Sequence, residues 1–164
     1  MEHRYPQRKP LRLPDYNYSL PGVYFLTLCT KDRIPFFGRI SGFNDEGIPT
    51  SQLTPIGKLV EQHIRDIPKY YANVSVDHFV IMPNHIHMLL FIETANGAPG
   101  SSRPTELVPR IISAMKRLTN KASGQKLWQE RYMDHVIRNE QDYVEHWNYI
   151  EHNPFRWAED KYHI

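Results

Sequence analysis

The stretch 76–93 (VDHFVIMPNHIHMLLFIE) restricts the fold of this chain more than any other, because it is the longest apolar run and is broken only at Met82-Pro83-Asn84. Proline fixes φ and asparagine tolerates turn geometry, so the break reads as a tight turn between two antiparallel strands. The second strand opens with His85 and His87, one residue apart. Side chains alternate along a strand, so the two imidazoles share a face, roughly 7 Å apart along the backbone, while Ile86 and Met88 turn to the other face. That separation lets both rings converge on one metal ion. Two ligands do not complete a site, and hydrogen-bonded core histidines are the alternative at this point.

A core-forming hairpin of this kind suits a chain of 164 residues, the size of one domain. Hydrophobic residues make up 40% and charged residues 23%. No run approaches the ~20 apolar residues of a membrane span. The first residues are charged and proline-rich, without the apolar core of a signal peptide, so the expected compartment is the cytoplasm. A single cysteine, Cys29, cannot form an internal disulfide, in keeping with a reducing environment. The net charge is only +2 but unevenly spread. Residues 107–128 carry Arg110, Lys116, Arg117, Lys121 and Lys126 with no acidic residue, and residues 1–21 form a basic arm with Arg4, Arg8 and Lys9 among prolines and tyrosines. Both are candidate phosphate-binding surfaces, weighed against a solvated face and a solvated tail.

Along the chain, residues 22–30 read as a first strand rich in β-branched and aromatic side chains. Residues 38–53 are broken by glycines and a proline and read as a two-stranded excursion or an irregular loop. Thr54-Pro55 then supplies an N-cap and a first-turn proline for a helix whose apolar stripe is Ile56, Leu59, Val60, Ile64 and Ile67. Strands at 73–82 and 85–93 follow, then a connection at 95–104. A second helix buries Val108, Ile111, Ile112, Met115 and Leu118 and exposes its basic face. Residues 126–137 read as a last strand or extended segment. Asn139 caps a final helix reaching about Asn153, where Pro154 stops it. Strand, helix, strand, strand, helix, strand and a further helix make an α+β, ferredoxin-like sandwich with an antiparallel sheet and an additional C-terminal helix. Right-handed crossovers put both early helices on one face of that sheet. The arm at 1–21 and a single domain at 22–164 are the expected division.

In the final helix Tyr149 and Asn153 are four residues apart, on one face. Tyr149 taken alone is an amphipathic core tyrosine. Beside a histidine pair it has another use, because a tyrosine oxygen can attack a phosphodiester while a cation held by two imidazoles and a third polar ligand draws charge off the phosphate. Asn153 is placed to be that third ligand.

With these residues in view, the chain resembles the HUH single-tyrosine transposases, most closely the REP-associated tyrosine transposases and their insertion-sequence relatives. The likeness spans 22–157 and rests on Tyr24-Phe25, Thr30-Lys31-Asp32-Arg33, Met82-Pro83-Asn84-His85-Ile86-His87, Trp128-Gln129, Arg131-Tyr132, residues 135–139, Asp142-Tyr143 and residues 149–154. It implies a ferredoxin-like catalytic domain, Mg or Mn as cofactor, and cleavage and strand transfer of single-stranded or hairpin DNA through a 5′-phosphotyrosine. Carried over by position, His85 and His87 are metal ligands, Tyr149 is the nucleophile, and Asn153 stands where insertion-sequence members commonly have glutamine. A homodimer is admitted, since the insertion-sequence relatives act as dimers. The basic residues Arg110, Lys116, Arg117 and Lys121 would hold the hairpin stem, and Arg4, Arg8 and Lys9 the flank. A histidine-triad hydrolase needs a third histidine at 89, which is Leu89, and a metallo-β-lactamase-type site needs Asp-His where Met88-Leu89-Leu90 stands. The competing functional class is a non-catalytic module that binds hairpin repeats.

Overall fold

The computed structural model describes residues 22–93 and 104–157, so Arg4, Arg8, Lys9 and the arm at 1–21 lie outside the described residues. In chain order the elements are β1 (Val23–Cys29), β2 (Gly38–Phe43), β3 (Pro49–Leu53), α1 (Pro55–Tyr70), β4 (Val74–Met82), β5 (His85–Ile92), α2 (Pro104–Ser123), β6 (Met133–Val136) and α3 (Glu140–His152). The main sheet has the order β4-β5-β1-β6 and is antiparallel throughout. This is the ferredoxin-like arrangement expected from the sequence. Residues 38–53 form a separate two-stranded sheet, β2 with β3.

Both sheet faces are covered, which explains why the hairpin sequence is so apolar: β5 is buried at every position. On one face Leu26, Leu28, Ile86, Met88 and Leu90 pack in one cluster with Val60 and Ile64 of α1 and Ile111, Ile112 and Met115 of α2. On the other, Val23, Leu89 and Phe91 pack with Tyr143 and Ile150 of α3. Fully burying a side chain of this size stabilises by about 1.5–3 kcal/mol relative to leaving it exposed. The molecule is therefore three layers, α1 and α2, the sheet, and α3. The helix starts follow their caps: Thr54 Oγ1 accepts from Gly57 N–H at 3.0 Å and Asn139 Oδ1 from Asp142 N–H at 2.9 Å.

Two sequence expectations change. Leu118 is 39% exposed, because the next residue along the helix, Thr119, takes the buried position. Its hydroxyl donates to the Met115 carbonyl at 2.7 Å and accepts from the Trp128 indole N–H at 2.8 Å, so a polar residue is satisfied inside the stripe. The last strand is confined to four residues; upstream of it Trp128 makes only an isolated bridge with Thr30. No helix among the described residues is long and apolar enough to cross a membrane.

Candidate active site

The β4–β5 turn delivers His85 and His87 to the face that α3 covers, opposite Cys29 and Thr27 of β1. The rings stand 4.7 Å apart between centroids at 73°, closer than their spacing along the strand. Both are buried, 0% and 1% exposed. Each ring is oriented through Nδ1. Asn84 Nδ2 donates to the Arg33 carbonyl at 3.3 Å, which turns Asn84 Oδ1 toward His85 Nδ1 at 2.9 Å. An amide oxygen only accepts, so His85 Nδ1 carries the proton and Nε2 the lone pair. Thr27 Oγ1 lies 2.8 Å from His87 Nδ1, and Phe25 stacks on His87 at 5.3 Å and 18°. One nitrogen engaged by the protein and the other available as ligand is the usual state of a metal-binding histidine.

The helix that faces this pair is held by a departure from regular pairing in β4. Val76 pairs with Leu90 but His78 pairs with Leu89, so Asp77 is an extra residue. A bulge of this kind switches which face the following side chains occupy. Before it Val74 and Val76 share rows with Ile92 and Leu90 of the α1–α2 face; after it the even positions His78, Val80 and Met82 share rows with Leu89, His87 and His85. Asp77 accepts a hydrogen bond from the Tyr143 hydroxyl. His78 Nε2 meets Glu151 Oε2 at 2.9 Å and its ring stacks on Trp147 at 4.3 Å and 17°. Two turns of α3 are thus fixed to the sheet edge, and Tyr149 lies between these anchors.

Tyr149 is half-buried, with its ring 5.1 Å from His87 and 5.9 Å from Phe25. Its side chain and those of Phe25, Thr27, His87, His135 and His146 line a cleft of about 530 Å3 between the sheet and α3. His87 and Tyr149 therefore meet within one chain, and His85 adjoins His87. Asn153, the C-cap of α3, is 2% exposed, and its Oδ1 is buried with no hydrogen-bond partner among the described residues. A buried orphan oxygen calls for a partner. Imidazole nitrogens and an amide oxygen are donor types that suit a divalent cation, and imidazole nitrogen favours Mn over Mg.

The basic residues lie elsewhere. Arg110, Arg117 and Lys121 are exposed on α2, in the layer across the sheet from the cleft. Lys116 is engaged internally: its ammonium donates to the carbonyls of Gln129 at 2.7 Å and Glu130 at 3.2 Å and lies 5.8 Å from the Tyr132 ring centroid. Burial pulls its pKa below the ordinary lysine range, with Cys29 and Glu130 opposing.

A group of which the family likeness touched only His135 and Asp142, and not His146, stands at the cleft wall. His135 of β6 and His146 of α3 stack at 4.7 Å and 17°, with the Asp142 carboxylate between them at 2.9 Å from His135 Nε2 and 3.0 Å from His146 Nδ1. Burial alone would push the Asp142 carboxyl up, but the Arg138 N–H and His135 outweigh it and hold it below the usual carboxylate range. The four-residue step from Asp142 to His146 was the available signal; the position of His135 depends on the turn into α3.

No protein-family model matches the chain. A Haemophilus influenzae protein of uncharacterised function is 34% identical, over 96% of this chain and 93% of that one. The REP-associated tyrosine transposase of Escherichia coli K12 is 30% identical, over 85% of this chain and 70% of that one. Among solved structures, a REP-associated tyrosine transposase bound to a REP hairpin is similar with a TM-score of 0.58 at 21% identity, covering 89% of this chain and 73% of that one. At that identity the likeness is one of fold.

Proposed function

Because the chain belongs to the REP-associated tyrosine transposase family, we propose that it cleaves and rejoins single-stranded DNA through a covalent bond between Tyr149 and a 5′ phosphate. The observation that carries this is the Tyr149 ring 5.1 Å from His87 in a shared cleft. In the cleavage step the Tyr149 oxygen attacks phosphorus in line and sheds its proton. The bond to the 3′ oxygen breaks, and that oxygen leaves as a hydroxyl, so one proton is lost and one gained. Attack by another 3′ hydroxyl on the phosphotyrosine restores the phenol and joins the strands. His85, His87 and Asn153 would hold Mg or Mn, which when bound draws negative charge off the phosphate.

The protein's own contribution is position. Phe25 backs the His87 ring, Asn84 and Thr27 fix the imidazoles, and the β4 contacts keep α3 from drifting. Near-attack geometry at about 3–3.5 Å is worth several orders of magnitude in rate only if it is held. A stacked duplex resists the splayed backbone that this attack needs, and the similar structure holds a REP hairpin, so single-stranded DNA with a hairpin is the proposed substrate. Nucleophile and histidines come from one chain, so a second copy is not needed to complete the cleft. A DNA substrate also favours the cytoplasm.

The test is a 3′-labelled hairpin oligonucleotide incubated with protein and Mn, then denatured. Wild type is expected to carry label through denaturing electrophoresis, Tyr149→Phe to carry none, and Tyr132→Phe to retain it. A non-catalytic hairpin binder gives a complex that dissolves in denaturant. Label retained by Tyr149→Phe would move the nucleophile elsewhere.

A further inference from the structure

We infer that His135, Asp142 and His146 form a second divalent-cation site, separate from His85 and His87, that takes a first-row transition metal. One ligand atom from each of the three residues lies within 4.8 Å of the other two. Within the group, His135 Nε2 is 2.9 and 3.1 Å from the two Asp142 oxygens, and His146 Nδ1 is 3.0 Å from Asp142 Oδ1. Ligand bonds of about 2.0–2.2 Å put neighbouring donors of a tetrahedral ion about 3.4 Å apart. The carboxylate–imidazole spacings lie a little below that value, so small side-chain rotations make room for one cation, which displaces the protons now held in these contacts, including the one His146 Nδ1 gives the Asp142 backbone carbonyl at 2.8 Å.

The group is built from two elements that are independently held. Asp142 sits in the first turn of α3, fixed by the Asn139 cap and by the Arg138 N–H on its Oδ2 at 2.9 Å. His135 comes from β6, which is paired with β1 across Phe25. Phe25 in turn packs on His146 at 4.6 Å, so the second imidazole is backed by the same ring that stacks on His87. The side chains of His135, Asp142 and His146 are 38%, 16% and 23% exposed, enough for an ion to enter without unfolding.

Chemistry selects the ion. Two imidazoles and one carboxylate suit Zn, Co, Mn or Fe rather than Mg, and leave coordination positions for water or a phosphate oxygen. Both imidazoles line the cleft that contains Tyr149. A cation held there adds positive charge to the cleft wall and ties β6 to α3.

The experiment is calorimetric titration of the metal-free full chain with Zn2+, with Co2+ absorption as a second readout. The variants are His135→Ala with His146→Ala, and His85→Ala with His87→Ala. The first pair is expected to bind one ion fewer than wild type and to lose the corresponding part of the Co2+ spectrum; the second pair is expected to keep that ion. Failure of the His85–His87 site shows itself separately, as wild-type binding that the second pair does not reduce. If the first pair takes up as many ions as wild type, the inference is overturned. Where circular dichroism shows that the first pair has not folded, wild-type crystals soaked in Zn2+ decide. Anomalous density among the three donors supports the site, and density only elsewhere refutes it.

Discussion

Asn84 shows how much of this site is settled by single side chains. Its amide is 1% exposed and spans the Arg33 carbonyl and the His85 ring, so one residue of the turn also fixes a tautomer. Asn84→Ala is expected to weaken Mn binding about 10–100-fold, the usual effect of removing a group that orients a metal ligand. Calorimetry checks this, and unchanged affinity would remove Asn84 from the site. His87→Ala is expected to abolish cleavage while DNA affinity is kept. Because the ring is buried, the substitution also leaves a cavity, and losses of about 2–5 kcal/mol follow large-to-small core changes. A ligand is distinguished from a packing residue by linkage: Mn should raise the wild-type melting temperature and leave His87→Ala unmoved. Equal shifts in both proteins would make His87 structural. The shared face of His85 and His87 was legible in the sequence because a period of two on a strand translates directly into a shared face. Leu118 was misplaced because hydrophobicity outranks Thr119 on paper, and only the Trp128 indole makes Thr119 a satisfied core residue.

At the scale of elements, α3 is held to β4 by a contact that responds to pH. Burial pulls the His78 pKa below its ordinary value of 6.5, and Glu151 and Asp77 only partly oppose this. The folded protein therefore binds a proton at His78 less readily than the unfolded chain. Its contribution to stability is complete above pH 6.5 and is lost as pH falls through the lowered folded value. The melting temperature should fall as pH drops below 6.5, and that of His78→Phe, which keeps an aromatic ring beside Trp147, should fall less. Parallel curves for the two proteins would show that His78 does not titrate against folding. None of this was visible in the sequence: the bulge at Asp77 adds one residue to an otherwise regular apolar–polar run, and nothing in the local composition marks it. The caps at Thr54 and Asn139 were visible, because they depend on side chains next to the helix start.

For the whole molecule, the sheet separates two surfaces. The cleft with Tyr149 lies on the α3 side, and Arg110, Arg117 and Lys121 are on the α2 side. The Lys116 hydrogen bonds to residues 129 and 130 bring α2 toward the segment entering β6, so on the proposed function a hairpin bound at α2 would reach the cleft past the β6 edge. Arg117→Ala with Lys121→Ala should weaken hairpin binding and flatten its salt dependence by ~0.7–0.9 in slope for each phosphate no longer neutralised. An unchanged slope would shift the stem to another cationic surface, such as that of Lys31, Arg33, Lys126 and Arg131. The layer order was legible from element order and crossover handedness, whereas the sides taken by cleft and basic face follow from register and from the bulge. The central claim, that Tyr149 becomes covalently joined to DNA, is tested most directly by mass spectrometry. Full-length protein is reacted with hairpin DNA and Mn, digested with nuclease and protease, and its peptides are sequenced. A nucleotide mass on the peptide containing Tyr149, localised to that residue, is the predicted result; a nucleotide on any other tyrosine, or unmodified Tyr149 after DNA cleavage, would contradict it.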